Sequence, residues 1–80
     1  MPHINMKHFP SLSNEQRNEL ADIFIQGVMA VAGCPKNVIS VAFQSVEPES
    51  WMQDVYHDDI LKNKTSVHIF PDYKISEEAK

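Results

Sequence analysis

Eighty residues with 42% apolar content suit one small domain with a thin core, and the lone cysteine, Cys34, leaves no intrachain disulfide to staple it. A formal net charge of −4 at pH 7 argues against a nucleic-acid partner, since the seven Lys and Arg residues are spread along the chain without a patch. No apolar run approaches the roughly 20 residues of a membrane span, so no membrane partner is expected; the first residues lack the basic region and apolar core of a signal peptide, and with one cysteine this points to the cytoplasm.

Residues 2–9 are predicted to form a strand. Ile4 and Met6 point to one face, and His3, Asn5 and Lys7 to the other, as period-2 alternation requires. Pro10-Ser11-Leu12 breaks it. Ser13 and Gln16 then have the spacing of a capping box. Leu20, Ile23, Phe24, Gly27, Val28 and Val31 recur at helical spacing and define the expected buried face. Gly33 suits the left-handed position after a helix and Pro35 forbids continuation, so the helix is predicted over 14–32. A second strand is predicted over 38–46, with Ile39, Val41 and Phe43 on one face and Val38, Ser40, Ala42 and Gln44 on the other.

Strand, long helix, strand is a βαβ unit. The fold class is therefore α+β: parallel strands, a right-handed crossover, the helix packed on the sheet, and the sheet extended by dimerisation. The stretch 50–63 is polar and weakly helical. Residues 65–70 alternate again, with Val67 and Ile69 on one side, and predict a short third strand. Pro71-Asp72-Tyr73 reads as a turn before a charged tail. No repeat or linker divides the chain, so 1–80 is expected to be a single domain.

The four histidines, His3, His8, His57 and His68, show no metal-ligand spacing and read as surface or edge residues. Cys34 follows a helix C-terminus, where the dipole disfavours a thiolate, and reads as inert. Asp54, Asp58 and Asp59 read as a solvated helix face. No glycine-rich phosphate loop is present, and neither a metal nor a cofactor is expected. Pro2 differs. A chain starting Met-Pro usually loses its methionine, leaving a secondary amine at the head of a strand. Seating that amine in an apolar pocket disfavours its cation and yields a free base near neutral pH. The alternative is that Pro2 only begins an edge strand, where a missing N–H is harmless.

Met1-Pro2-His3-Ile4, the βαβ plan and Glu47-Pro48-Glu49-Ser50-Trp51 together resemble the 4-oxalocrotonate tautomerase superfamily. With Phe9-Pro10 and the late Pro71-x-Tyr73, the chain is most similar to the para-phenylenolpyruvate tautomerase branch. The resemblance spans nearly the whole chain. It implies that Pro2 is the general base of an enol–keto isomerase, and that Trp51 is the aromatic pocket residue beside it.

There are departures from the family pattern. The founding enzymes grip substrate carboxylates with two arginines, and those positions here correspond to Ser11 and Ser40. Arg17, the only arginine, is expected on the helix's polar side. The implied substrate is a monocarboxylic 2-oxo acid such as an arylpyruvate, seated against Trp51 and Phe43, with Ser40 and backbone N–H groups as candidates for the carboxylate. Two alternatives stay open: a Pro2-dependent hydratase, dehalogenase or decarboxylase on the same fold, and a non-catalytic binding dimer. A homodimer is expected, because the polar stretch 50–63 would obstruct the hexamer that many short relatives form.

Overall fold

The computed structural model describes residues 1–73, and its chain contacts group into two compact units, Met1–Ser45 and Val46–Lys80. The first holds strand β1 (His3–His8), helix α1 (Asn14–Ala32) and strand β2 (Ser40–Ser45). The strands pair in parallel, His3 opposite Ser40 through His8 opposite Ser45. This is the expected α+β arrangement, a tautomerase-like βαβ protomer with its helix against the sheet.

The ends of α1 follow from local chemistry. Ser13 Oγ accepts the N–H of Gln16 (3.1 Å) and Gln16 Oε1 accepts the N–H of Ser13 (2.9 Å). These two reciprocal bonds satisfy backbone donors that a helix start otherwise leaves open, and a cap of this kind is worth about 1 kcal/mol. At the other end Gly33 takes φ 74°, a left-handed conformation open to glycine without strain, and its N–H returns to the Met29 carbonyl at 3.1 Å.

The face that α1 buries is rotated from the predicted one. Leu20, Phe24 and Val28 are partly buried as expected, and Phe24 stacks on Phe43 of β2 with ring centroids 6.3 Å apart. Their companions, however, are Ala21, Ile25 and Met29, while Ile23 is 56% exposed and Val31 90% exposed. The helix carries apolar residues on both flanks of the Leu20–Phe24–Val28 line. Periodicity alone does not choose between the flanks.

β2 also starts later than predicted. Val38 and Ile39 spend their backbone donors on Pro35 and Lys36 in a 3₁₀ turn over Lys36–Val38, so pairing with β1 begins only at Ser40. His8 corrects the surface reading of the histidines. It is 7% exposed, on the same face as Ile4 and Met6, with its ring edge-on to Phe43 at 6.1 Å. Its Nδ1 donates to the Phe9 carbonyl at 2.6 Å, which fixes the proton on that nitrogen.

The second unit begins with α2 (Pro48–Trp51), where Pro48 occupies a first-turn position that needs no N–H. It runs directly into a π-helix over Met52–Leu61. Here the N–H of Lys62 reaches back five residues to the His57 carbonyl (3.1 Å), and Asn63 Nδ2 covers the carbonyls of Asp58 and Asp59 (3.0 and 3.3 Å). Val46 and Val55 are the buried apolar residues of this unit. The predicted third strand over 65–70 is absent. Asn63 and Lys64 instead accept from Ser66 and Val67 in a 3₁₀ turn over Lys64–Ser66. Ile69 and Phe70, 82% and 50% exposed, alternate without any strand partner among the described residues. The charged tail from residue 74 lies outside the described residues. No described helix is long and apolar enough to cross a membrane.

Candidate active site

Pro2 stands at the head of β1, partly buried, while Met1 beyond it is 97% exposed. The Pro2 carbonyl accepts the N–H of Ser40 at 3.1 Å. This bond extends the parallel ladder by one rung, so backbone pairing holds the proline in place without any demand on its ring. A nitrogen that must act as a base gains from such fixation, because its orientation no longer depends on a mobile side chain.

The same rung brings a second polar pair to the strand head. His3 Nδ1 lies 2.6 Å from Ser40 Oγ, on the sheet face opposite Ile4 and Val41. In the tautomer that carries the proton on Nδ1, the imidazole donates to the serine oxygen and leaves the serine proton to be donated outward. Pro2 and Ser40 are thus brought together, with His3 as a partner that the surface reading of the histidines passed over. The available signal was the shared face: residues 3 and 40 both fall on the polar side of their strands.

Phe43 lies elsewhere. Three residues beyond Ser40 on β2, it faces the opposite side of the sheet, between Phe24 and His8. Trp51 belongs to the second unit, where its Nε1–H donates to the Tyr73 hydroxyl at 3.0 Å. The Tyr73 ring in turn packs on Tyr56, with centroids 5.6 Å apart and planes at 51°. Trp51, Tyr73 and Tyr56 are thus linked in sequence as an aromatic trio, with Tyr73 in the middle.

Asp58 sits in a separate, partly solvated network. Gln53 Nε2 and His57 Nδ1 both donate to Asp58 Oδ1 (3.1 and 3.0 Å), and Lys62 Nζ stands 3.9 Å away. The hydrogen bond from His57, helped by the charge of Lys62, holds the Asp58 carboxyl below its ordinary range. A carboxylate shifted that way stays ionised and is a poor proton donor, which suits a solvated helix face. Among the described residues no group of three His, Cys, Asp or Glu side chains gathers closely enough to hold a metal. Arg17 donates to Asn14 Oδ1 within α1.

A parallel βαβ unit with a long crossover helix and a proline anchored at the head of its first strand is the arrangement that the resemblance to small tautomerases implies. No family model matches the chain. A Tautomerase PptA of Pectobacterium atrosepticum is 40% identical over 63 residues, covering 78% of this chain and 82% of that protein. The Tautomerase PptA of Cronobacter sakazakii is 33% identical over 76 residues, covering 94% and 100%. A probable tautomerase of Xylella fastidiosa is 40% identical over 60 residues, covering 75% and 73%. The chain belongs to the 4-oxalocrotonate tautomerase superfamily, on the side of the PptA tautomerases, and is an isomerase.

Proposed function

We propose that the protein interconverts the enol and keto forms of monocarboxylic 2-oxo acids of the arylpyruvate type, with the amine of Pro2 as general base once Met1 has been removed. The observation that carries this reading is the anchoring of Pro2 by the Ser40 N–H. It fixes a candidate secondary amine without engaging its nitrogen. In the forward direction the amine takes the proton from the enol oxygen on C2 and returns it to C3, so C2–O becomes C2=O, the C2=C3 double bond becomes single and C3 gains a C–H bond. Ser40 is a candidate carboxylate donor through its outward proton, Trp51 a candidate seat for the aryl group, and Phe43 supports the sheet from the helix side. No cofactor enters such a reaction, and a reducing cytoplasm would keep Cys34 a free thiol. Mixing enol phenylpyruvate with protein whose N-terminal residue is Pro2, and following the loss of enol absorbance, should reveal ketonisation well above the buffer rate. A rate equal to buffer removes the arylpyruvate reading.

The working unit in this proposal is a homodimer. A two-stranded sheet leaves two open edges, and the Ile23 and Val31 flank of α1 is apolar and exposed. A two-fold pair covers such surface by the commonest closed symmetry. Sedimentation equilibrium at micromolar concentration should give a mass near two chains. A mass near six would remove the obstructing role of the polar stretch 50–63, and a stable monomer would remove the need for a partner.

A further inference from the structure

The second unit holds a polar atom that its described residues leave half used. Tyr73 Oη accepts the indole proton of Trp51 at 3.0 Å, and among the described residues its own proton has no acceptor. A hydroxyl that already accepts one hydrogen bond is polarised and becomes a stronger donor through its own O–H. Trp51 and Tyr56 stand five residues apart, and both reach Tyr73. The spacing is the consequence of the π-helix. Its i→i+5 bonding aligns residues five apart on one face, as Gln53 and Asp58 also show by joining directly at 3.1 Å. Helices of this kind are rare and occur frequently at functional sites. Here the geometry brings the Trp51 and Tyr56 rings to one tyrosine hydroxyl in a partly exposed cluster, with Tyr73 itself 43% exposed.

We infer that Tyr73 is a ligand-binding residue, whose hydroxyl, oriented by the Trp51 indole, donates a hydrogen bond to the carboxylate of an aryl-substituted acid lying against Trp51 and Tyr56. The inference rests on the proposed arylpyruvate reading for its ligand class and adds a donor to it. The chemistry fits what the chain otherwise lacks. Its one arginine is bonded to Asn14, and Lys62 faces Asp58. A bidentate guanidinium grip is therefore replaced by a neutral donor on an anion, a charge-assisted bond stronger than a neutral pair. A phenol also tolerates an apolar neighbour better than an ammonium does, because it carries no charge to desolvate.

Trp51 is the only tryptophan in the chain, so its fluorescence reports this site directly. The experiment titrates 3-phenylpropanoate, a stable acid with no enol, and the uncharged 3-phenylpropanamide into the full chain, and repeats both with Tyr73→Phe. That substitution keeps the ring against Tyr56 and removes only the hydroxyl. The expected result is an approximately tenfold weaker Kd for the carboxylate in Tyr73→Phe, equivalent to about 1.4 kcal/mol, with the amide altered less than twofold. Unchanged carboxylate binding overturns the inference. So does an equal loss for both ligands, which would mean that the cluster has merely loosened. Absence of binding to the unsubstituted chain overturns it as well, and leaves ketonisation by Pro2 to stand or fall on its own assay. Tyr73-dependent binding without any ketonisation supports the site and removes the tautomerase substrate instead.

Discussion

Natively trimmed protein carrying Pro2→Ala should ketonise enol phenylpyruvate about 10²- to 10⁴-fold more slowly than the unsubstituted protein, the range expected for loss of a positioned general base. The structure makes this variant a clean one. The contact that anchors residue 2 is its carbonyl, which accepts from Ser40 and survives the substitution. The variant should therefore fold with β1 and β2 in the same register. What changes is the nitrogen: a ring amine of fixed direction becomes a primary amine free to rotate about its bond to Cα. A stronger form of the test leaves Met1 in place. The Pro2 nitrogen is then an amide, its lone pair is committed to resonance with the carbonyl, and no base remains at that position. Chain with Met1 retained should be inactive, and activity there would sink the mechanism outright. The pH profile carries the sign. The amine is a base only when deprotonated, so kcat/KM should rise with pH through its pKa and then level off. A profile flat from acid to alkaline pH excludes an amine base.

Much of this arrangement was legible in the residues before any coordinates. Both ends of α1 are written in chemistry that acts over three or four residues: the Ser13–Gln16 box at one end and Gly33 with Pro35 at the other. The alternation of Ile4 and Met6 on one strand and of Val41 and Phe43 on the other likewise set the sheet faces, although it did not place His8 among the buried residues. What was not legible depends on contacts remote in sequence. The choice between Ile25 with Met29 and Ile23 with Val31 as the second flank of α1 is decided by what the helix meets, and both flanks have the same period. The stretch 65–70 alternates well enough for a strand, yet a strand needs a neighbour, and among the described residues none is supplied. The π-helix had no signal at all, since its i→i+5 bonding leaves no distinctive composition. At the site the pairing of His3 with Ser40 follows from register, which no short-range pattern encodes.

Substrate choice should separate this chain from relatives that grip two carboxylates. The two positions where the founding enzymes carry arginines correspond to Ser11 and Ser40, and Ser40 Oγ is already engaged with His3. A serine and a phenol each offer one hydrogen bond to an anion, whereas a guanidinium offers two in a fork that matches a carboxylate. One carboxylate is within the reach of such neutral donors. A second, at the far end of a dicarboxylic enol, would lose its water without compensation unless a cation met it. Forfeiting one charge-assisted hydrogen bond costs roughly 1.5 to 3 kcal/mol, so kcat/KM for an arylpyruvate enol should exceed that for a dicarboxylic enol by at least about tenfold. Most of the difference should appear in KM if the lost contact is made equally in the ground and transition states. Raising salt should not reverse the preference, because it arises from desolvation at the site and not from long-range attraction between exposed charges. Equal efficiency on the two substrates would assign the grip to a cation after all. Lys36, four residues before Ser40 in the turn that feeds β2, would be the first to replace with methionine, and a selective loss of the dicarboxylic activity in that variant would complete the reassignment.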